Sequence, residues 1–245
     1  MKIDRALIFH RSTFPGSGAH GRRPIEPSFF KEYPQAPRVE LPRETLGGAE
    51  ELRRVIVKRR SCREFSPEPL TLQEISDLLY LTIGVTAVTE AYGIENFPLR
   101  AAPSAGALAP IELYPIFFNP PEGLEERGLY HYNALKHVLE FLIEGDLSEP
   151  LVDACLGQEF LARAPMAILF TAVYPRSSWK YGIRAYRYIH LDAGFAGENL
   201  YLAATSMGLG TVAIGAFDDE KLSALLGFDE EELPMLVMPV GKKPS

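Results

Sequence analysis

Four cations, Lys58, Arg59, Arg60 and Arg63, fall within the eight residues KRRSCREF (58–65) of a chain whose formal net charge is −7. Two chemistries suit such a cluster. At the end of a helix, basic side chains offset the partial negative charge of the last carbonyls and need only solvent around them. Alternatively, guanidinium forks grip phosphate oxygens two at a time, and Ser61 between them adds a hydroxyl and a backbone donor to the same anion. Composition by itself favours the solvated helix end.

Other patterns with chemical associations fail on context. GSGAHG (16–21) has the glycine spacing of a dinucleotide loop, but such a loop leaves a buried strand and opens a helix, and the RRPIEP that follows cannot open one. GLGTVA (208–213) runs from a helix into a strand, the reverse of the required order, so Gly208 and Gly210 are expected at a helix C-cap and a turn. The histidines at 10, 20, 131, 137 and 190 show no metal-ligand spacing, and Cys62 and Cys155 are isolated thiols; no metal site and no disulfide framework is expected. Neither a GxSxG elbow nor a P-loop occurs. With 32 acidic residues against 25 basic, the chain is a poor candidate for binding nucleic acid or an anionic membrane surface. It shows no secretory signal and no apolar run of membrane-spanning length, and a cytoplasmic location is expected.

The elements that must position the basic cluster are read from hydrophobic spacing. At 245 residues and 47% hydrophobic, the chain can fill a sizeable core. Residues 1–48, rich in Pro, Gly and Arg, read as an extended arm ahead of a single α+β domain over 49–245. Leu52, Val55 and Ile56 predict a helix that stops at the cluster. Leu72, Ile75, Leu78 and Leu79 predict a second, with Thr71 as N-cap and Glu74 completing a capping box. ELYPIFFN (112–119) and GLYHY (128–132) read as strands, and PMAILFTAVY (165–174) as a fully buried one. Over 186–210, Tyr186, Ile189, Ala193, Ala196, Leu200, Ala203 and Met207 mark a central buried helix. Its Gly194, Gly197 and Ala204 would let another helix backbone come close, and a subunit contact there is a further expectation. A short strand TVAIG, a helix opening on Asp218 and a last strand LPMLVMPVGKK complete the order.

Four segments together carry a resemblance. KRRSCREFSPEPLTLQEISDLL is similar to the opening motif of the nitroreductase superfamily of FMN enzymes, a basic-Ser-x-basic segment followed by a proline-bearing turn and a helix. APSAGALAPIELYPI resembles its Pro-Ser loop before a strand. GLGTVAIGAFDDEKLSALLGF resembles its Gly-Leu-Gly, strand, Gly-x-Phe-Asp and helix arrangement, and LVMPVGKK its terminal strand. These occur in family order from Val55 to Lys243. Within the superfamily, YPQAPRVELP and WKYGIRAYRYIHLDAGFAGENLYLAATSMGLG resemble the SagB/ThcOx-type branch, whose best-known members dehydrogenate azoline rings in modified peptides.

The resemblance implies a nitroreductase-like α+β fold, with a central mixed or antiparallel sheet flanked by helices, and a homodimer holding FMN at its interface. Arg59, Arg60, Ser61 and Arg63 would hold the FMN phosphate and polar edge. Pro103, Ser104, Ala105 and Gly106 would approach the flavin from the other subunit, Gly215 and Ala216 would bring backbone amides near the ring, and Lys242 and Lys243 would add charge near the phosphate. Ala107 stands where the family's reductase branch usually has Asn. In a dehydrogenase, Lys180 or Tyr181 would remove a proton as hydride passes to the flavin, which requires burial or the nearby Arg184 and Arg187 to lower the lysine's pKa. The plain alternative is a surface lysine beside a packing tyrosine at a helix start. The implied activity is that of an FMN-dependent oxidoreductase of SagB/ThcOx type acting on a small molecule or peptide. One alternative is an NAD(P)H-dependent nitroaromatic or quinone reductase. Another is a flavin-binding or flavin-processing protein without redox turnover.

Overall fold

The apolar runs IELYPIF and MAILFTAV, rich in residues that fit a pleated surface, lie side by side and are buried along almost their whole length. The computed structural model describes residues 5–13, 49–124 and 126–244. In chain order its elements are α1 (Arg5–Ser12), α2 (Glu50–Lys58), α3 (Leu72–Ile83), β1 (Val85–Ala91), β2 (Ile94–Arg100), β3 (Ile111–Phe117), β4 (Gly128–Asn133), β5 (Val138–Glu144), α4 (Ser148–Ala154), β6 (Met166–Val173), α5 (Pro175–Tyr181), α6 (Ala185–Ser206), β7 (Gly210–Thr211), α7 (Asp219–Leu226) and β8 (Glu232–Gly241). Among the described residues six strands form one sheet in the order β5-β4-β3-β6-β8-β7, and β1 and β2 pair with each other and with no other strand. Every ladder of the large sheet is antiparallel.

Because successive strand residues face opposite sides, the sheet has two apolar surfaces and needs a helical layer on each. Leu113, Phe117, Ile168 and Phe170 pack against Ile75 and Leu79 of α3 and Ile189, Ala196 and Leu200 of α6. On the opposite face, Tyr114, Ile116, Ala167 and Leu169 meet Leu151 of α4 and Leu222 of α7. Each fully buried side chain of this size contributes about 1.5–3 kcal/mol, so these two layers hold the sheet rigid beneath the loops that leave its ends.

The helix ends follow their local signals. Thr71 accepts from the Glu74 amide at 3.2 Å while the Glu74 carboxylate accepts from the Thr71 amide at 2.7 Å, the reciprocal pair of a capping box. Asp218 caps α7 by accepting from the Lys221 amide at 3.0 Å. At the end of α6, Gly208 takes a left-handed φ of 77°. The Leu209 amide there reaches the Ala204 carbonyl at 2.8 Å and the Gly208 amide reaches Thr205 at 3.2 Å, the two bonds of a Schellman motif.

Several details differ from the sequence expectations. Gly197 accommodates a strand, since a Cβ there would lie 3.1 Å from Leu236 of β8, while Gly194 is exposed and a Cβ there would meet nothing among the described residues. A small residue on a buried helix face marks a close neighbour without saying of which kind. The expected strand TVAIG is reduced to β7 and an isolated bridge between Ile214 and Val237. The described residues of the region read as an extended arm form a helix, α1, held where His10 meets Asp219 of α7 at 3.0 Å. The rest of that arm, with GSGAHG, lies outside the described residues. No helix among the described residues is long and apolar enough to cross a membrane.

Candidate functional site

Helix α2 stops at Lys58, and Arg59 turns the chain into an extended conformation (φ −52°, ψ 125°). The basic segment then joins the sheet edge. Ser61 bridges Thr211 in parallel, the Cys62 amide donates to the Thr211 carbonyl at 2.9 Å, and the Ser66 amide donates to Lys242 at 2.9 Å. The cluster is therefore fixed backbone rather than a frayed helix tail. Its guanidiniums rest on rings, Arg59 5.0 Å from the Tyr201 centroid and Arg63 5.9 Å from that of Phe160. The Tyr201 hydroxyl accepts from the Ala213 amide at 2.7 Å and lies 3.1 Å from the Ser61 hydroxyl. Arg60 donates to the carbonyls of Val57 and Arg59. Among the described residues no carboxylate pairs with Arg59, Arg60 or Arg63. Three neighbouring cations with no carboxylate partner among the described residues, in an acidic protein, suit an anion of more than one charge.

Three further predicted members border this place. The stem of Lys243 lies against Gly210, where a Cβ would come 2.6 Å from the Cys62 sulfur. The exposed Gly215 and Ala216 adjoin it through the segment that carries Phe160, because Gln158 donates to the Ala216 carbonyl at 3.1 Å. Lys242 differs: it is paired with Glu68 at 2.9 Å, which holds its pKa up and leaves Lys243 as the freer cation.

Pro103, Ser104, Ala105 and Gly106 form a separate half. The loop they open holds three left-handed residues, Gly106 (φ 63°), Ala107 (φ 56°) and Ala109 (φ 45°). Each alanine there costs on the order of 1–2 kcal/mol, so the surroundings must impose the shape. The Ser104 hydroxyl accepts from the Ala109 amide at 2.9 Å and the Ser104 carbonyl from the Ala107 amide at 3.0 Å. Asp192 of α6 accepts from the Ala105 amide at 3.2 Å. Only 3% of Asp192 is exposed. Burial pushes its pKa up to about 6, against the opposing pull of the Ala105 donor.

Lys180 and Tyr181 sit in the last turn of α5, not at a helix start. Their tips converge over Gly106 with that of Tyr92: a Cβ on Gly106 would lie 2.6 Å from the Tyr181 hydroxyl, 2.9 Å from that of Tyr92 and 3.0 Å from Lys180 Nζ. Lys180 donates to the Tyr92 hydroxyl at 2.6 Å, and Tyr92 donates to the Gly106 carbonyl at 2.7 Å. The bond to Tyr92 and, after it, to Tyr181 raises the Lys180 pKa above its ordinary value. The lowering expected for a base is therefore not found, because Nζ is exposed and phenol oxygens favour its charged form. Arg184 and Arg187 are not among the groups that set it.

Helix α5 is anchored at its other end. Arg176 donates to the buried Glu112 of β3 and, at 3.3 Å, to the Ala109 carbonyl. Glu112 also meets His131 at 3.1 Å. Burial works against the Glu112 charge, but the bond from His131 and the Arg176 cation outweigh it and hold the carboxyl below its usual range.

The two halves flank α6. Tyr201 and Asp192 are nine residues apart on that helix, a rise of about 14 Å and a rotation of about 180°. Within the chain the three arginines and the Pro103–Gly106 loop thus lie on opposite sides of it. Sequence reading missed Tyr92, Asp192, Tyr201 and the Arg176–Glu112 pair. Gly93, between two β-compatible runs, was a local turn signal available.

This architecture and motif order place the protein among the nitroreductase-like α+β folds. Residues 56–242 match the Nitroreductase family, and the chain belongs to it. A relative from Methanocaldococcus jannaschii, MJ1384, provisionally named a nitroreductase, is 39% identical over 189 residues, 77% of this chain and 89% of that protein. The trifolitoxin-processing protein TfxB of Rhizobium leguminosarum is 31% identical over 58% of this chain and 39% of its own length. A crystal structure from Anabaena variabilis, also provisionally named a nitroreductase, is 38% identical with a TM-score of 0.63, covering 69% of this chain and 34% of that one.

Proposed function

We propose that the protein is an FMN-dependent oxidoreductase working as a homodimer. Arg59, Arg60, Ser61 and Arg63 of one subunit hold the flavin phosphate, and the Pro103–Gly106 loop of the other lies against the ring. The observation that carries this reading is the absence, among the described residues, of any carboxylate partner for the three arginines. A phosphate monoester carries nearly two negative charges at neutral pH and takes charge-assisted bonds from guanidinium forks. The opposed faces of α6 support a site shared between copies. So do Leu191 and Phe195, which expose about half their surface (51% and 48%) on that helix, and Leu52, Ile56 and Val57, exposed on α2.

FMN, when bound, supplies hydride chemistry. The chain's own residues then act on the substrate side. Lys180 presents an ammonium able to stabilise negative charge or deliver a proton, and Tyr181 beside it is the group left to accept one. The TfxB likeness supports a peptide or peptide-derived substrate and the SagB/ThcOx-type branch. The MJ1384 likeness favours a second reading, a reductase fed by NADH or NADPH. Purified protein is tested by its visible spectrum, by identifying the chromophore it releases, and by stopped-flow mixing with NADH or NADPH. A flavin spectrum without rapid bleaching supports the dehydrogenase. Rapid bleaching supports the reductase, and a colourless protein that takes up no added FMN overturns both.

A further inference from the structure

We propose that Tyr92, at the tip of the β1–β2 hairpin, is a positioning residue of the site: its phenol ties the Lys180 ammonium to the Gly106 carbonyl and so fixes where that ammonium meets a substrate. This rests on the reading of Lys180, Tyr181 and the Pro103–Gly106 loop as the substrate side of a redox site.

The hairpin is joined by two residues, Tyr92 (φ 54°) and Gly93 (φ 75°), between the paired Ala91 and Ile94. Left-handed values at both positions match the right-handed twist of the strands, and Asn or Asp before Gly is the usual filling. A bulky aromatic residue is disfavoured at the first position. The turn itself thus gives no reason for tyrosine, and the reason lies in what the side chain reaches. Its ring meets Phe97 edge-on at 5.4 Å and Trp179 of α5 at 5.7 Å. Its hydroxyl donates to the Gly106 carbonyl and accepts from Lys180, whose Nζ also lies 4.7 Å from the ring centroid. Three separate elements, the hairpin, the strained loop and α5, are joined at that one oxygen. A free-standing two-stranded ribbon is marginally stable, and among the described residues β1 and β2 pair with no other strand, so docking the tip also orders the hairpin along one side of the site.

Lys180 also contacts Tyr181. Without the Tyr92 oxygen its long side chain keeps that partner but loses the tether to the loop. The raised pKa of Lys180 agrees with this arrangement.

The test is Tyr92→Phe in the full chain, which keeps the ring contacts and the backbone and removes one oxygen. The Lys180 titration midpoint is read by NMR after reductive methylation with 13C-formaldehyde, the resonance being assigned with Lys180→Arg. The expected result is a fall of ~0.5–1 pH unit, the order of effect one hydrogen bond to a charged group has on its titration. Tyr92→Asn, which suits the turn but cannot reach Gly106, should lower the midpoint at least as far. An unchanged midpoint in both variants overturns the proposal. The measurement needs no flavin, so the two readings fail separately. If the wild type takes up no FMN while the midpoint still falls, the flavin reading fails and the Tyr92 tether stands.

Discussion

Arg176, in the first turn of α5, places its guanidinium on the buried Glu112 of β3, sixty-four positions earlier in the chain. That contact fastens the helix carrying Lys180 and Tyr181 to a fully buried interior strand of the sheet, and the bond to the Ala109 carbonyl joins it to the strained loop. Arg176→Ala leaves a buried carboxylate short of a partner. Since Arg176 is partly open to solvent (41% exposed), the loss is expected to fall below the range for a fully buried pair, at about 2–3 kcal/mol. Urea unfolding checks this, and an unchanged midpoint contradicts the anchoring role.

His131 lies between Glu112 and Glu140, and the bond to Glu112 outweighs burial in raising its pKa above the ordinary 6.5. A histidine with a raised folded-state pKa stabilises the fold below its unfolded pKa, and that stabilisation fades as pH rises through the folded value. Melting temperature should therefore decline as pH rises past 6.5. His131→Gln should remove that part of the decline. A decline of equal size in the variant rules out His131 as its source.

Glu112 has the opposite sign. Its pKa is held below 4.5, so its contribution is present above that value and disappears as pH falls through the folded one. Together with His131 this places the maximum of the network's stability between the two groups' ordinary pKa values. Glu112→Gln is expected to flatten the acid limb of the melting curve against pH, and a limb as steep as the wild type's would contradict it.

Asp192 disfavours folding when charged. Its pKa is raised from 3.8 to about 6, so stability is lost as pH rises through this interval, by up to about 3 kcal/mol at 1.36 kcal/mol per unit. Asp192→Asn keeps an acceptor for the Ala105 amide and removes the charge. It should be more stable than the wild type above pH 6, by thermal unfolding, with the two converging toward pH 4. A less stable variant at pH 7 would show that the carboxylate is better compensated than its surroundings indicate.

Ala109 holds a φ of 45° that glycine adopts freely. Ala109→Gly should stabilise the protein by ~0.5–1 kcal/mol in urea unfolding, the left-handed penalty less the extra freedom glycine has when unfolded. A destabilised variant would mean the methyl group packs well enough to offset the strain.

The fold was legible where the signal is local. Continuous apolar runs gave β3 and β6, the helical spacing of Ile189, Ala193, Ala196 and Leu200 gave α6, and Thr71, Asp218 and Gly208 marked helix ends by their own side chains or lack of one. The cation cluster, the basic half of the site, was visible in the residue types alone, but composition favoured a solvated helix end, and its reading as an anion site came from the resemblance. The other half was not visible, because its contacts are distant in sequence: Tyr92 to Lys180 spans 88 positions and Ala105 to Asp192 spans 87. Glu112 sits in a strand with no local sign that its charge is buried and paired. The hairpin escaped notice because Pro98 interrupts its second strand and both strands are largely solvent-facing, which leaves a weak alternation.

The central claim is that Arg59, Arg60, Ser61 and Arg63 hold a flavin phosphate. Titrating the protein with FMN and with riboflavin, following quenching of flavin fluorescence, isolates the phosphate. At ~1.5–3 kcal/mol per charge-assisted bond, two such bonds predict FMN binding tighter by a factor on the order of 100 or more. Replacing both Arg60 and Arg63 with Ala should erase most of that difference. Equal affinity of the wild-type protein for the two flavins would contradict the account and return the cluster to a solvated helix end.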